Sequence, residues 1–244
     1  PLGFDWPRAK ARLTRTKEAI QIIRDLWEGN GEEDEEEEVD KDDDGFLNFN
    51  GEYFLIRNAK LYTPPTKRIP IYMAATGQQA TKVAAKYSDG LISYLRPDEA
   101  SKTVLRVFDS TAEKEGRDAN ALEKIAEYKV SFSEDYDKAL KSSSFWRATL
   151  VKTVFDSDIS DPRKLQRKAE KEVSDEKLKQ SIHIITSIED CIRSIEEYFR
   201  VGFTRVYIHS TSPDEIKFIQ MFSKRVMPHL NIASNTEKTP ATST

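Results

Sequence analysis

Two short stretches of this chain combine residue types and spacing that could do chemistry. The first is Ala75-Thr76-Gly77-Gln78-Gln79. A Thr followed three residues later by Gln marks a helix start, whose free amides and positive dipole end attract phosphate or another anion. Gly77 would let a ligand approach the backbone closely. Thr76 and Gln79 could equally satisfy those amides themselves. The stretch contains neither G-x-G-x-x-G nor G-x-x-x-x-G-K-[ST], so neither a dinucleotide fingerprint nor a P-loop is on offer. The second stretch is Ala126 to Phe132, where Tyr128, Val130 and Phe132 alternate with Glu127, Lys129 and Ser131. A strand flanked by helices should be apolar on both faces. A face carrying Glu, Lys and Ser must instead meet water, a polar cavity or a ligand, as on an edge strand or in a barrel interior near its mouth.

The elements expected to position these residues follow from periodicity. Ile69 to Ala75 reads as a strand, followed by a helix to about Tyr87 with Val83, Ala84 and Tyr87 inward, and by a strand from Leu91 to Tyr94. Upstream, residues 7–28 form an amphipathic helix with Leu13, Thr16, Ile20, Ile23 and Trp27 on one stripe, ended by Gly29. Strands around 46–49 and 52–57 form a hairpin. A helix after Arg96-Pro97-Asp98-Glu99 buries Val104, Leu105, Phe108 and Ala112 and closes at Gly116. Residues 134–180 read as a helical insertion with a start at Ser160-Asp161-Pro162, long enough to be functional or lid-like. A short strand at 182–186 precedes a helix begun by Ser187 and ended near Gly202. Strand 205–209 then leads to a last helix capped by Ser212, with Pro213 at its first position, running through Met227. The strands at 69–75, 91–94, 126–132 and 205–209, each followed by a helix, make four βα units, half of a TIM barrel.

Composition narrows the classes. Residues 32–44 hold eleven Asp or Glu and one Lys, a charge of −10 that leaves +6 for the rest of a chain whose total is −4. That run cannot bury apolar surface, so residues 31–45 are expected to be an acidic insertion. Asp40 to Asn48 has oxygen ligands and a glycine where a calcium loop has them, but position twelve is Gly51 and Glu52 comes one residue late. No metal site is expected. The basic residues of the body are scattered without aromatic interleaving, which argues against nucleic acid as a partner. No apolar run approaches 18 residues, so a cytoplasmic protein without membrane partners is expected. The lone Cys191 excludes an internal disulfide and falls in line with Ile188, Ile192 and Ile195 as core filling. The chain is expected to begin inside a longer reading frame, because its first residue is Pro. Residues 231–244 are expected to be a disordered tail, leaving 1–230 as the domain.

The helix RLTRTKEAIQIIRDLWEG, the hairpin FNGEYFLIRNAKLYTPP, IPIYMAATG with YSDGLISY, the strand IAEYKVSF followed by FW, and GFTRVYIHS resemble the luciferase-like monooxygenase superfamily. Within it they are similar to the coenzyme F420-dependent enzymes of the glucose-6-phosphate dehydrogenase type. The resemblance runs from about Arg12 to Leu230. It implies an α/β fold, a TIM (β/α)8 barrel of luciferase-like type, here its later half plus a helical insertion. It also implies hydride transfer between ring C5 of the deazaflavin F420 and a small, possibly phosphorylated, alcohol or sugar. FMN is the alternative coenzyme; reduction of a methylene-pterin carrier and a truncated, non-catalytic binding fragment are the alternative functions. Ala75, Thr76 and Gly77 match the backbone segment that such enzymes place against the coenzyme, where two glycines are common. Lys129 matches a substrate-phosphate lysine. The other two basic phosphate positions fall at Gln180 and Thr204, neither basic, with Lys179 and Arg205 one residue away and facing oppositely. The family's catalytic His, its Trp neighbour and its acidic residue would lie upstream of Pro1, so no catalytic residue is assigned here. A homodimer is expected for the full-length protein.

Overall fold

The computed structural model describes residues 7–29, 45–151 and 161–230, which fall into two compact units. The first takes the described residues of Asp5–Ile92 with Arg106–Glu123; the second takes Ser93–Leu105 with those of Lys124–Thr244. The acidic run, including Asp40–Asp44 of the calcium-like loop, and the tail 231–244 lie outside the described residues.

In the first unit, helix α1 (Ala9–Glu28) ends at Gly29, whose φ of 71° supplies the left-handed turn. Its buried face corrects the expected stripe. Ile20 is buried as foreseen, but Ile23 is 37% exposed, and Glu18 and Ile22 are buried. The cause is a carboxylate with a structural task. Strands β1 (Leu47–Asn50) and β2 (Leu55–Ala59) form the antiparallel hairpin, and Glu18 accepts the amides of Glu52, Tyr53 and Phe54 at 2.8, 3.0 and 3.1 Å. Gly51 lies so close to that carboxylate that a side chain there would strike it. Burial alone would raise the pKa of Glu18, yet the three amides outweigh it and hold the group below its ordinary 4.5. The anchor therefore contributes above pH 4.5 and is lost as pH falls through the lower folded value. Glu18→Ala is expected to speed hydrogen exchange at the amides of residues 52–54, with unchanged exchange as the contrary result.

Strand β3 (Tyr72–Ala74), helix α2 (Gln78–Tyr87) and strand β4 (Gly90–Ser93) form the expected strand, helix and strand unit. Tyr72, Met73 and Ala74 pair in parallel with Gly90, Leu91 and Ile92. The first strand starts three residues later than the expected Ile69, because Asp89 takes over its entrance. Its carboxylate accepts the Ile71 amide at 2.7 Å and forms ion pairs with Arg24 and Arg68. Helix α3 (Glu99–Lys114) buries Val104, Leu105, Phe108 and Ala112, each 4% exposed or less, as its spacing required.

The second unit is built around β5 (Glu123–Phe132). After it come α4 (Tyr136–Ser142), a 3-10 turn at Ser144–Leu150, α5 (Pro162–Glu172) and α6 (Asp175–Lys179). Val151, Ala169 and Val173 give this stretch a small core of its own. Strand β6 (His183–Ile185), helix α7 (Ile188–Val201), strand β7 (Arg205–Ser210) and helix α8 (Glu215–Met221) complete it. Val130 pairs with both His183 and Ser210, so β5 lies between β6 and β7, all parallel. The four strands counted from the sequence are present, and the short strand foreseen at 182–186 adds a fifth. Ser187 caps α7 through the Asp190 amide, and Cys191 is fully buried, its thiol pushed by burial to about 11. The last helix departs from expectation. Asp214 caps it, because the Ser212 hydroxyl is engaged by the Phe132 amide, and regular α-helix stops at Met221, before a π turn at Phe222–Val226.

Candidate functional site

The turn after β3 is the first candidate. Ala75 is buried, and its amide donates to the Ile92 carbonyl at 2.9 Å, which fixes where the chain leaves the strand. The expected capping by Thr76 and Gln79 does not form. Gly77 is the N-cap of α2, with φ −119°, and no side chain caps the helix. The Thr81 hydroxyl and amide both donate to the Gly77 carbonyl at 3.0 Å, so that oxygen is consumed within the helix. A Cβ on Gly77 would meet nothing within 4 Å. Neither backbone conformation nor neighbouring protein atoms demand glycine there.

The second candidate is the polar face of β5. Glu127 and Lys129 are partly buried, and Ser131 is fully buried with its hydroxyl 2.7 Å from that of Ser142. Register places Lys129 beside His209 on β7. Glu127 Oε1 lies 2.9 Å from His209 Nδ1 and 3.8 Å from Lys129 Nζ. The Lys129 ammonium sits 4.9 Å from the Trp146 ring centre and 5.2 Å from that of Tyr94, within cation–π range. Trp146 in turn meets the His209 ring edge-on at 4.7 Å. The other face of β5 is core: the Tyr128 ring lies tilted against His183 at 4.5 Å and its hydroxyl lies 2.6 Å from that of Ser194.

The remaining phosphate positions stay apart from this cluster. The Thr204 hydroxyl accepts the Lys124 amide at 2.9 Å and donates to the Lys124 carbonyl, tying the start of β7 to the start of β5. Arg205 pairs with Ile125, four residues before Lys129, a separation of roughly 13 Å along the strand. Lys179 lies over the Tyr136 ring at 5.3 Å, and Gln180 is exposed. Sequence reasoning overlooked Trp146, Tyr94 and the His209 partnership with Glu127. His209 ends the strand expected at 205–209, but only the pairing of β5 with β7 reveals its neighbour. A separate cleft of about 530 Å³ opens beyond the carboxyl ends of β5, β6 and β7, walled by Phe132, Ile188, Phe218, Lys217 and Arg225. None of the cluster residues lines it. Among the described residues, no group of His, Cys, Asp and Glu could hold a metal ion, and no helix is long and apolar enough to cross a membrane.

A carboxylate that fixes a histidine, beside an ammonium held between two rings, can bind a hydroxyl-bearing molecule and move a proton. Comparison with known proteins gives this a context. An F420-dependent glucose-6-phosphate dehydrogenase of Nakamurella multipartita is 29% identical over 94% of this chain and 64% of its own length. Its counterpart from Microbacterium testaceum matches to the same extent. This chain thus spans 64% of the length of these relatives. Among solved structures, an F420-dependent secondary alcohol dehydrogenase in complex with an F420-acetone adduct is 28% identical, with a TM-score of 0.79, over 93% of this chain and 64% of that one. The F420-dependent tetrahydromethanopterin reductase of Methanopyrus kandleri, 18% identical over 88% of this chain and 63% of its own, shares the fold with a TM-score of 0.60. The fold is that of the luciferase-like TIM barrels. The sequence profile of the luciferase-like monooxygenases matches residues 4–205, and the chain belongs to that family.

Proposed function

We propose that this chain is part of an oxidoreductase that transfers a hydride between coenzyme F420 and a small alcohol or sugar, a reading supported by relatives named as F420-dependent dehydrogenases. The observation that carries the reading is the turn Ala75-Thr76-Gly77, where a helix start lacks a side-chain cap and a glycine faces open space. Amides at such a start hold an anionic or carbonyl oxygen, and the absent Cβ leaves room for the coenzyme against the backbone. The donor set fits F420, which when bound supplies a hydride-accepting ring carbon. Lys129 faces the substrate in this reading. The domain runs to about residue 230, with 31–45 and 134–180 as insertions, and works as a cytoplasmic homodimer on a small molecule.

Fluorescence titration of the full-length protein with F420 and with FMN tests the coenzyme. Saturable quenching of F420 is expected. Tight FMN binding with no F420 response would replace this reading by a flavin-dependent monooxygenase. A sharper check is Gly77→Asp. Aspartate is among the best N-cap residues, so its carboxylate should occupy the amides, hold or raise Tm, and weaken F420 binding by about tenfold or more, roughly 1.4 kcal/mol. Unchanged affinity in a folded variant would remove the turn from the coenzyme site.

A further inference from the structure

We propose that the cleft of about 530 Å³ beyond β5, β6 and β7 is a binding site in its own right, and that its ligand is a zwitterion with an apolar body, of the apolar α-amino acid class. The inference goes beyond the hydride-transfer reading and does not depend on it. The volume falls in the range of small-molecule sites, roughly 300–1,000 Å³. The floor is apolar. Phe132 follows Tyr128 and Val130 on the core face of β5, and the buried Ile188 and Phe218 come from the first turns of α7 and α8. Lys129 belongs to the opposite face of that strand, so the cleft is no extension of its cluster.

The charges around that floor decide the ligand class, once those already engaged are set apart. Asp135 caps α4 through the Lys138 amide and pairs with the Lys138 ammonium at 3.3 Å, and Asp214 caps α8 through the Lys217 amide. Glu134, Glu189, Lys217 and Arg225 remain. Among the described residues, none of these four side chains has an ion-pair or hydrogen-bond partner. On α8 and the turn after it, Lys217, Met221 and Arg225 follow at intervals of four, so both cations stand on the stripe that carries Met221 into the cleft. Glu134 comes from the loop after β5 and Glu189 from the first turn of α7. A monoanion in the cleft would meet Glu134 and Glu189 as like charges, and a monocation would meet Lys217 and Arg225. A ligand with both charges can turn its carboxylate to the cations and its ammonium to the glutamates, in charge-assisted hydrogen bonds. Its side chain then covers Phe132, Ile188 and Phe218 and leaves water. An apolar amino acid combines these three parts in one small molecule.

The test uses full-length protein and three probes of one shape: L-phenylalanine, 3-phenylpropanoate, which lacks the ammonium, and 2-phenylethylamine, which lacks the carboxylate. Methyl spectra of protein labelled with 13C-methionine follow the titrations. The Met221 signal, identified by its loss in Met221→Leu, should move with phenylalanine, while that of Met73, in the other unit, stays. Phenylalanine should bind about fivefold or more tightly than either relative, which is what one or two exposed ion pairs supply. Lys217→Glu with Arg225→Glu, and Glu134→Gln with Glu189→Gln, should each weaken phenylalanine by a similar factor. All four side chains are exposed, so Tm should hold in both double variants. The first pair should also weaken phenylpropanoate and spare phenylethylamine, and the second the reverse. Equal affinity for the three probes would overturn the proposal, as would unchanged phenylalanine affinity in both folded double variants, or no movement of the Met221 signal at millimolar phenylalanine. A Met221 signal that moves with protein concentration alone would give the cleft to a second copy of the chain, and would overturn it as well.

Discussion

Between pH 6.5 and about 3 the second unit is expected to lose stability by about 1.4 kcal/mol per pH unit through a single residue, His183. The imidazole is 5% exposed; its Nδ1 lies 3.1 Å from Arg96 Nη2 and its Nε2 3.0 Å from the Tyr198 hydroxyl. Arg96 only donates, so Nδ1 is the acceptor and Nε2–H donates to Tyr198. Burial, and then the Arg96 charge, depress the pKa from 6.5 to about 3. A histidine held neutral in the fold binds fewer protons than its unfolded counterpart throughout that window, so stability rises with pH there and is fully present above 6.5. Urea denaturation at pH 7, 6 and 5 should show a loss of about 2 kcal/mol over that range, and His183→Gln, which cannot titrate, should flatten it. Equal slopes for parent and variant would mean that the imidazole is not held neutral.

What could be read in advance depended on how far apart the cooperating residues lie. The core face of α3 and the cap of α7 rest on residues within a turn of one another, and the structure has them as the spacing required. The capping signature at Thr76 failed although it too is local, because Ala75 is tied to Ile92 and the helix starts at the following glycine. At the last helix the expected cap, Ser212, is engaged by a partner 80 residues away, the Phe132 amide, and Asp214 caps instead. The task of Glu18 carried no local signal, because its three amides come from 34 to 36 residues downstream. The Glu127 and His209 pair is separated by 82 residues and exists only through the register of β5 with β7. The alternation in β5 did announce that one of its faces was polar. It could not say which groups on other elements meet that face, which are Trp146 and His209.

Tyr128→Ala is expected to be the most damaging single change, destabilising by about 3–5 kcal/mol, the range for removing a buried aromatic ring. Tyr128 is fully buried, tilted against His183 and meeting Tyr198 edge-on at 5.8 Å. Its phenol is pushed well above its ordinary pKa, chiefly by burial, so it remains neutral at any working pH. Tyr128→Phe separates packing from hydrogen bonding: the ring stays and only the contact with Ser194 is lost, a cost of about 1 kcal/mol. The Ser194 hydroxyl keeps its bond to the Cys191 carbonyl at 3.0 Å, which limits the penalty. The functional weight of this residue lies in the period of the strand. Side chains alternate, so the ring that locks Tyr128 against α7 also holds Glu127 and Lys129 on the opposite face, and a slip of one residue would exchange the two sets. Denaturation of both variants checks the ledger. If Tyr128→Ala cost no more than Tyr128→Phe, packing behind β5 would not be what holds Glu127 against His209 and Lys129 against Trp146.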